Sequence, residues 1–271
     1  VDFPAGFWPA TGTLVHLAFP RVGRADSGVR AGDVISPFYD PMIAKVIVEG
    51  ETRAVALAKL RAGLRGTQVS GTVTNLAFLQ ALADHAGFAA GDVDTGLIGR
   101  DLDALVAAPA PSQAVIALAA IGAVGLTQNT EFEGFSLWTP LRKNVRLGDD
   151  TAQVTVLGAG RFDVTVENVL FKVDRRDGWF INGTKTHAEI VLTPGRVSVF
   201  ADTASHFDVQ DPLDVVASAA GDASLIEAPM PGLVRDVLVR AGAAVEKGDA
   251  LVVLEAMKME HVLTAARNGV V

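Results

Sequence analysis

Apolar and polar residues alternate along short segments in the middle of this 271-residue chain, and this alternation constrains its fold more than any other feature. A period of two is typical of a β-strand with one buried face. Asp177-Gly178 and Asn182-Gly183 favour tight turns between antiparallel strands. The predicted strands are Phe135–Thr139, Asn144–Leu147, Ala152–Leu157, Phe162–Glu167, Val169–Val173, Trp179–Ile181, His187–Leu192 and Arg196–Phe200. We therefore expect an antiparallel sheet of six to eight strands.

A continuous run of apolar and small residues, Ala114–Leu126, precedes these strands. Ser112 is placed to cap a helix there, and apolar residues would lie on all sides of that helix. Such a helix must be enclosed rather than covered on one face. At thirteen residues the run is shorter than the about 20 residues needed to span a bilayer. The order of elements predicts a barrel of antiparallel strands wrapped around a central helix.

A second hairpin is predicted near the C-terminus, with strands Asp249–Glu255 and His261–Thr264 and a bend at Ala256–Met259. Lys258 would lie at the tip of this bend. A lysine at a hairpin tip is ordinarily a solvated turn residue. Here alanine and two methionines replace the usual Asn-Gly or Asp-Gly. Apolar residues around an exposed lysine favour a surface that a second protein contacts and modifies.

The sequence Ala-Met-Lys-Met at 256–259, with Pro231-Gly232 beginning 27 residues before Lys258, resembles the biotinyl domain of biotin-dependent carboxylases. The resemblance implies a flattened β-barrel in which Lys258 carries biotin as an amide. It also implies that Met257 and Met259 flank the site for recognition by biotin protein ligase. Lipoyl domains share the barrel but usually present Asp-Lys-Ala at the tip, so a lipoylated carrier is the less favoured alternative.

Other features of the same region refine this interpretation. Glu255 and Glu260 are interpreted as solvated strand ends rather than as acid–base residues. No inserted segment separates Val234 from Asp249, which disfavours the carrier of multi-subunit acetyl-CoA carboxylases. The strand beginning at Gly232 recurs at Gly269–Val271. We therefore expect residues 225–271 to form an incomplete carrier domain with exposed strand edges.

Residues 1–108 show an α+β pattern. Strands are predicted at Gly12–Phe19 and Pro41–Val48, and helices are predicted to begin after Thr52, Thr74 and Thr95. The segments Tyr39–Lys45 and Thr74–Leu79 resemble the C-terminal part of biotin carboxylase, an ATP-grasp enzyme. In that family the residues that bind ATP, magnesium and bicarbonate lie upstream, so we expect this chain alone not to carboxylate biotin.

No catalytic residue is assigned in this segment. Residues five apart in a strand point to opposite faces, so Asp40 and Lys45 are interpreted as a turn carboxylate and a solvated lysine. His16 and His85 are interpreted as ordinary histidines without a functional role.

Residues 109–210, by their order in the chain, resemble the domain that docks acyl-CoA carboxylase α-subunits onto the carboxyltransferase β-subunit. Trp138 and Trp179 could serve that interface, or could belong to the core. The basic residues Arg142, Lys143 and Arg146 could likewise serve the interface or be solvated strand charges. His187 and His206 lack metal-ligand spacing. Residues 211–224 have the composition of a linker.

Composition excludes several classes of function. The net charge of −8 and pI near 5.1 argue against nucleic acid or an anionic membrane as a partner. The absence of cysteine excludes disulfides, zinc–thiolate sites and cysteine nucleophiles. The residues Val1–Pro4 do not resemble a signal peptide. The expected location is the bacterial cytoplasm, or the mitochondrial matrix for a eukaryotic protein.

The resemblance as a whole implies part of a biotin-dependent acyl-CoA carboxylase α-subunit. Gly28–Asp33 and Tyr39–Lys45 look most like methylcrotonyl-CoA carboxylase, followed by the propionyl-CoA, acetyl-CoA and geranyl-CoA enzymes. In the whole enzyme this implies ATP, magnesium and bicarbonate as co-reactants and an acyl-CoA bound through the β-subunit. A second interpretation, from a different class, is a non-catalytic assembly module in which Lys258 is never modified.

Overall fold

The computed structural model describes residues 10–107, 109–128, 134–210, 226, 228–230, 232–256 and 259–271. The chain divides into two compact units, one formed by residues 1–107 with 216–271 and the other by residues 108–215. The predicted linker, residues 211–224, and the two residues Met257 and Lys258 lie outside the described residues.

The helices are α1 Arg53–Gly66, α2 Leu76–Asp84, α3 Ala86–Ala90, α4 Leu97–Val106 and α5 Gln113–Ala123. The strands before α5 are β1 Gly12–Thr13, β2 His16–Ala18, β3 Arg24–Ser27, β4 Val34–Ile35, β5 Ala44–Ile47 and β6 Gln68–Ser70. Those after it in the second unit are β7 Arg142–Leu147, β8 Asp150–Gly158, β9 Arg161–Val166, β10 Val169–Arg175, β11 Trp179–Ile181, β12 Thr184–Thr186, β13 Glu189–Thr193, β14 Arg196–Phe200 and β15 Ala204–Gln210. The last strands are β16 Leu233–Val237, β17 Ala244–Val245, β18 Ala250–Ala256, β19 Met259–Thr264 and β20 Gly269–Val270.

The N-terminal segment combines α1 to α4 with short antiparallel strand pairs, β1 with β4, β2 with β6 and β3 with β5. The single strand predicted over Gly12–Phe19 is wrong, because the chain divides at Leu14 into two strands with different partners. Leu14 is fully buried and its amide donates to the Asp33 carbonyl at 2.9 Å. The next amide, of Val15, donates to Ser70 at 2.9 Å. Sequence alternation does not reveal this change of partner.

Helix starts in this segment are partly as predicted. The hydroxyl of Thr52 accepts from the amide of Val55 at 3.3 Å, which confirms Thr52 as the N-cap of α1. The predicted caps Thr74 and Thr95 are each wrong by one residue, because Asn75 and Gly96 occupy the N-cap positions of α2 and α4 without a side-chain cap bond.

His85 has a structural role that the sequence interpretation missed. Its Nδ1 accepts from the amide of Phe88 at 3.3 Å and caps α3. Its Nε2 lies 3.2 Å from a carboxylate oxygen of Asp101 in α4. His85, which lies between α2 and α3, therefore links the start of α3 to α4.

In the second unit, α5 is enclosed as its sequence predicts. The hydroxyl of Ser112 accepts from the amide of Val115 at 3.4 Å, which confirms the predicted cap. Every residue from Ile116 to Gly122 is buried, and α5 packs against β7, β8, β9, β13, β14 and β15. Burial of Leu118 and Ile121, both fully inaccessible, stabilises the unit by about 1.5–3 kcal/mol each.

The strands of the second unit form, among the described residues, one antiparallel sheet of nine in the order β12-β11-β10-β9-β8-β7-β15-β14-β13. Because α5 contacts strands across much of this order, the sheet curls around it as a half-barrel. The strand predicted at Phe135–Thr139 is wrong, since none of residues 134–140 belongs to a strand and residues 137–139 form a bend. The sequence interpretation also missed β15, which joins the two halves of the sheet.

The C-terminal residues form a three-stranded sheet in the order β16-β18-β19 and a two-stranded sheet of β17 with β20. The side chains of β16, among them Leu233, Val234 and Val237, are exposed. In the part of the chain that the structure describes, no helix is both long and apolar enough to cross a membrane.

Candidate functional site

The hairpin of β18 and β19 is longer than predicted. Its strands are paired from Ala250 opposite Thr264 to Ala256 opposite Met259. The bend predicted over four residues is therefore wrong at its ends, which belong to the strands. In the sequence Met257 and Lys258 separate the last pair, and both lie outside the described residues.

The end of the hairpin is anchored on one side by burial. Ala256 is only 2% exposed and packs in a cluster with Met230 and Leu254. The interpretation of Ala256 as a residue presented to a partner is therefore wrong. Met259 on the opposite strand is 47% exposed and agrees with that interpretation. One strand end is thus fixed in a small core while the other faces solvent.

Gly232 lies directly against the end of the hairpin. A Cβ atom at this position would be 2.7 Å from the carbonyl oxygen of Glu255 and 3.1 Å from the Cβ of Ala256. Leu233 is paired with Glu255, so Gly232, the residue before β16, lies beside the end of β18. The glycine of the Pro-Gly signature therefore has a steric reason in the structure.

Replacing Gly232 with alanine should loosen the hairpin end, because a backbone oxygen cannot move aside as a flexible side chain can. Overpacking of this kind typically costs about 1–3 kcal/mol. We expect faster amide hydrogen exchange at Leu254 and Ala256 in the variant. Gly269→Ala is the matched control, since a Cβ atom added at Gly269 would have nothing within 4 Å of it. Equal exchange rates in the two variants would contradict this steric role.

Arg235 of β16 joins the two glutamates that flank the turn. Its Nη1 lies 2.8 Å from Oε2 of Glu255 and 3.0 Å from Oε1 of Glu260. The two glutamates are directly opposite each other in the hairpin. The interpretation of both as merely solvated strand ends is incomplete, because a shared guanidinium holds them. Nothing in the local sequence signals this contact.

The two candidate tryptophans of the second unit have opposite environments. Trp179 is 7% exposed and belongs to the core, as the core interpretation of the tryptophans predicts. Trp138 is 93% exposed, so the core interpretation is wrong for it. The three basic candidates on β7, Arg142, Lys143 and Arg146, are exposed.

Arg175 is a residue that the sequence interpretation missed. Its guanidinium donates to the carbonyl of Leu126 at 2.7 Å and to that of Gln128 at 2.9 Å. It also lies 5.8 Å from the ring centroid of Phe162 and 5.7 Å from that of Trp179. Arg175 therefore holds the segment that follows α5 against the inner face of the sheet.

The remaining candidates are described by their local contacts. Asp40 accepts from the amide of Met42 at 2.9 Å, and both Asp40 and Lys45 are exposed, as interpreted. His206 lies 2.9 Å from the hydroxyl of Ser198, and burial, followed by the charge of Arg196, lowers the pKa of this imidazole. Among the residues that the structure describes, no group of three or more His, Asp or Glu is arranged to hold a metal ion.

Comparison with known families matches both ends of the chain. Residues 2–100 match the family described as Biotin carboxylase C-terminal domain, and residues 224–271 match the family described as Biotin-requiring enzyme. These matches confirm the two resemblances that rest on Tyr39–Lys45 and on the Ala-Met-Lys-Met sequence.

Similar proteins extend the comparison across the centre of the chain. The mitochondrial methylcrotonoyl-CoA carboxylase subunit alpha of Rattus norvegicus is 34% identical over 299 residues, covering 97% of this chain. The propionyl-CoA carboxylase alpha chain of Ruegeria pomeroyi is 30% identical over 278 residues and covers 92% of it. Biotin carboxylase 2 of Bacillus subtilis is 40% identical over 101 residues, which are 36% of this chain and 23% of that protein.

The chain spans 42% of the length of the rat protein and 40% of the Ruegeria protein. It therefore corresponds to less than half of either relative. It carries a biotin carboxylase C-terminal domain and a biotinyl domain, and along almost its whole length it is homologous to methylcrotonoyl-CoA carboxylase α-subunits.

Proposed function

We propose that this chain is the biotin-carrying and subunit-docking part of an acyl-CoA carboxylase α-subunit, with biotin attached to Lys258. The observation that carries the proposal is the hairpin of β18 and β19, which ends on the pair Ala256 and Met259 within a region matching biotin-requiring enzymes. Lys258 is the one lysine in the two-residue connection between those strands. The next lysine toward the N-terminus is Lys247, before β18.

The residues around the turn fit a covalently attached group. The buried Ala256 and the close approach of Gly232 fix the base of the turn, while the exposed Met259 leaves apolar surface for a modifying enzyme. The Nζ of Lys258 would form the amide, and Met257 and Met259 would contact biotin protein ligase. When bound, biotin supplies a ureido nitrogen that can accept and donate a carboxyl group. The protein residues contribute attachment, position and recognition.

The intact mass of the chain after co-expression with a biotin protein ligase tests this proposal. We expect a single biotinyl group. A lipoyl group would instead identify a lipoylated carrier, and no modification despite an active ligase would favour the assembly-module alternative.

The activity of the whole enzyme follows as part of the same proposal. A biotin carboxylase site upstream would use ATP, magnesium and bicarbonate, and a carboxyltransferase β-subunit would transfer the carboxyl group to an acyl-CoA. Methylcrotonyl-CoA is the favoured substrate because of the rat relative, and propionyl-CoA is the alternative because of the Ruegeria relative. This chain alone should not carboxylate biotin. The cytoplasm is proposed for a bacterial protein, and the mitochondrial matrix for a eukaryotic one.

For the second unit we propose a barrel-type docking domain for the β-subunit. The support is an exposed apolar segment between α5 and β7, in which Phe135, Leu137 and Trp138 are 67%, 76% and 93% exposed. Exposed aromatic residues of this kind are enriched among the residues that dominate binding at interfaces. The exposed charges of Arg142 and Lys143 begin the strand that follows.

Trp138→Ala should weaken capture of a matching β-subunit by about 30-fold or more, since a central aromatic contact commonly contributes about 2 kcal/mol or more. The measurement is a titration of the purified β-subunit onto the immobilised chain. Leu192→Ala is the control, because Leu192 is an exposed apolar residue on β13. Equal affinities of the Trp138 variant and the unchanged sequence for the β-subunit would show that this segment is not part of the interface.

A further inference from the structure

The strand β16 contains a bulge next to the candidate attachment turn. Val234 is paired with Leu254 and Asp236 with Val253, so Arg235 is an extra residue opposite consecutive residues of β18. A bulge of this kind redirects the side chain of the extra residue and is common beside functional sites. Here it directs the guanidinium of Arg235 to the end of the hairpin, across β18 to β19.

The groups that receive this guanidinium would otherwise repel each other. Glu255 and Glu260 form the pair next to the final pair of the hairpin, and like charges directly opposite each other destabilise strand pairing. A single nitrogen of Arg235 contacts both carboxylates, at 2.8 and 3.0 Å. The contact therefore spans all three strands of the sheet at the end where the connection of Met257 and Lys258 begins.

We propose that Arg235 is a positioning residue for the modification of Lys258. By neutralising Glu255 and Glu260, it keeps the last two strand pairs of the hairpin formed on either side of the Met257-Lys258 sequence, and the modifying enzyme requires these pairs. The inference rests on the function proposed above and adds to it a residue that positions the attachment site. Arg235 itself forms no bond to biotin and takes no part in the chemistry.

The exposure of these groups indicates a local rather than a global role. The side chains of Arg235, Glu255 and Glu260 are 57%, 39% and 58% exposed. Exposed ion pairs contribute little to global stability. The end of a hairpin, however, opens locally at small free-energy cost, so a modest bias there changes the fraction of molecules that can be modified. A lower competent fraction raises the apparent KM for the chain without changing kcat.

The test is the kinetics of biotin transfer to the full chain by a purified biotin protein ligase with ATP and biotin, at low salt. Arg235→Gln should raise the KM for the chain about fivefold, the order expected when opposed like charges lose their counter-ion, with kcat unchanged. The melting temperature should be nearly unchanged. Arg240→Gln removes the same charge from the same domain and should leave KM as it is. An unchanged KM in Arg235→Gln, or an equal rise in Arg240→Gln, would overturn the proposal.

A double-mutant cycle with Glu260→Gln separates positioning from direct contact with the ligase. If Arg235 acts by neutralising the glutamate pair, removing one glutamate should reverse most of the rise in KM caused by Arg235→Gln, because the repulsion is gone. Amide exchange at Glu255 and Glu260 should rise in Arg235→Gln and fall again in the double variant. Additive effects on KM would show that Arg235 contacts the ligase instead and would overturn the positioning role.

Biotin transfer to the chain with its unchanged sequence tests the carrier function separately from the positioning role of Arg235. Failure of that transfer contradicts the function itself. Successful transfer with no coupling between Arg235 and Glu260 contradicts the positioning role and leaves the carrier function intact.

Discussion

Replacing Lys258 with arginine should abolish covalent attachment of biotin to this chain. Arginine keeps the positive charge and the length of the side chain, but its guanidinium is far less nucleophilic than a lysine amine and remains protonated at any accessible pH. The measurement is the intact mass after co-expression with biotin protein ligase. We expect one biotinyl group on the unchanged sequence. Labelling of the variant should fall below the detection limit of the assay.

Lys247→Arg is the matched control for this experiment. Lys247 is an exposed lysine in the turn before β18, and its backbone amide is held by Asn268 at 2.7 Å. The control substitution should leave labelling complete, because the side chain lies outside the hairpin connection. Biotin attached to the Lys258→Arg variant, or lost from the Lys247→Arg variant, would show that the attachment site is elsewhere and would remove the basis of the carrier assignment.

The largest effect on stability is expected for Arg175→Ala in the second unit. The substitution removes two hydrogen bonds to the carbonyls of Leu126 and Gln128 and the contacts with the rings of Phe162 and Trp179. Hydrogen bonds made by a charged donor contribute about 1.5–3 kcal/mol, and this arginine is half-buried. We expect the free energy of unfolding to fall by about 2–3 kcal/mol, as measured by denaturant titration.

Arg176→Ala provides the comparison, since the neighbouring side chain has the same charge on the solvent side. Arg176 lies 3.4 Å from a carboxylate oxygen of Asp174 and 5.0 Å from the ring centroid of Phe180, and its side chain is 65% exposed. Exposed pairs of this kind contribute about 0–1 kcal/mol. If the two variants unfold at the same denaturant concentration, Arg175 does not anchor the chain leaving α5.

Patterns that act over a few residues were predictable from the sequence. Ser112 and Thr52 cap their helices because a hydroxyl next to the first turn satisfies a free amide wherever that helix lies in the fold. The enclosed helix α5 followed from apolar residues on all its sides. The Ala-Met-Lys-Met sequence at 256–259 and the Pro-Gly turn before it identified the carrier domain, which the family comparison confirms.

Contacts between distant residues were not predictable in this way. Trp138 lies in a segment that reads as a strand, yet it is exposed in a bend, because alternation gives the period of a strand and not whether a neighbouring strand pairs with it. Leu14 divides a predicted strand because its two neighbours pair with different strands. Arg175 reaches carbonyls 49 and 47 residues away in the sequence.

The hairpin that carries Lys258 shows the same division. The sequence by itself determined which lysine is the candidate for modification, because the recognised residues are contiguous in the chain. Only the tertiary structure decided how that hairpin end is held, with Ala256 buried, Gly232 against the backbone and Arg235 between two glutamates. The physical reason is that a bulge in one strand sets the direction of a side chain relative to two others, and pairing across three strands is not encoded in any one of them.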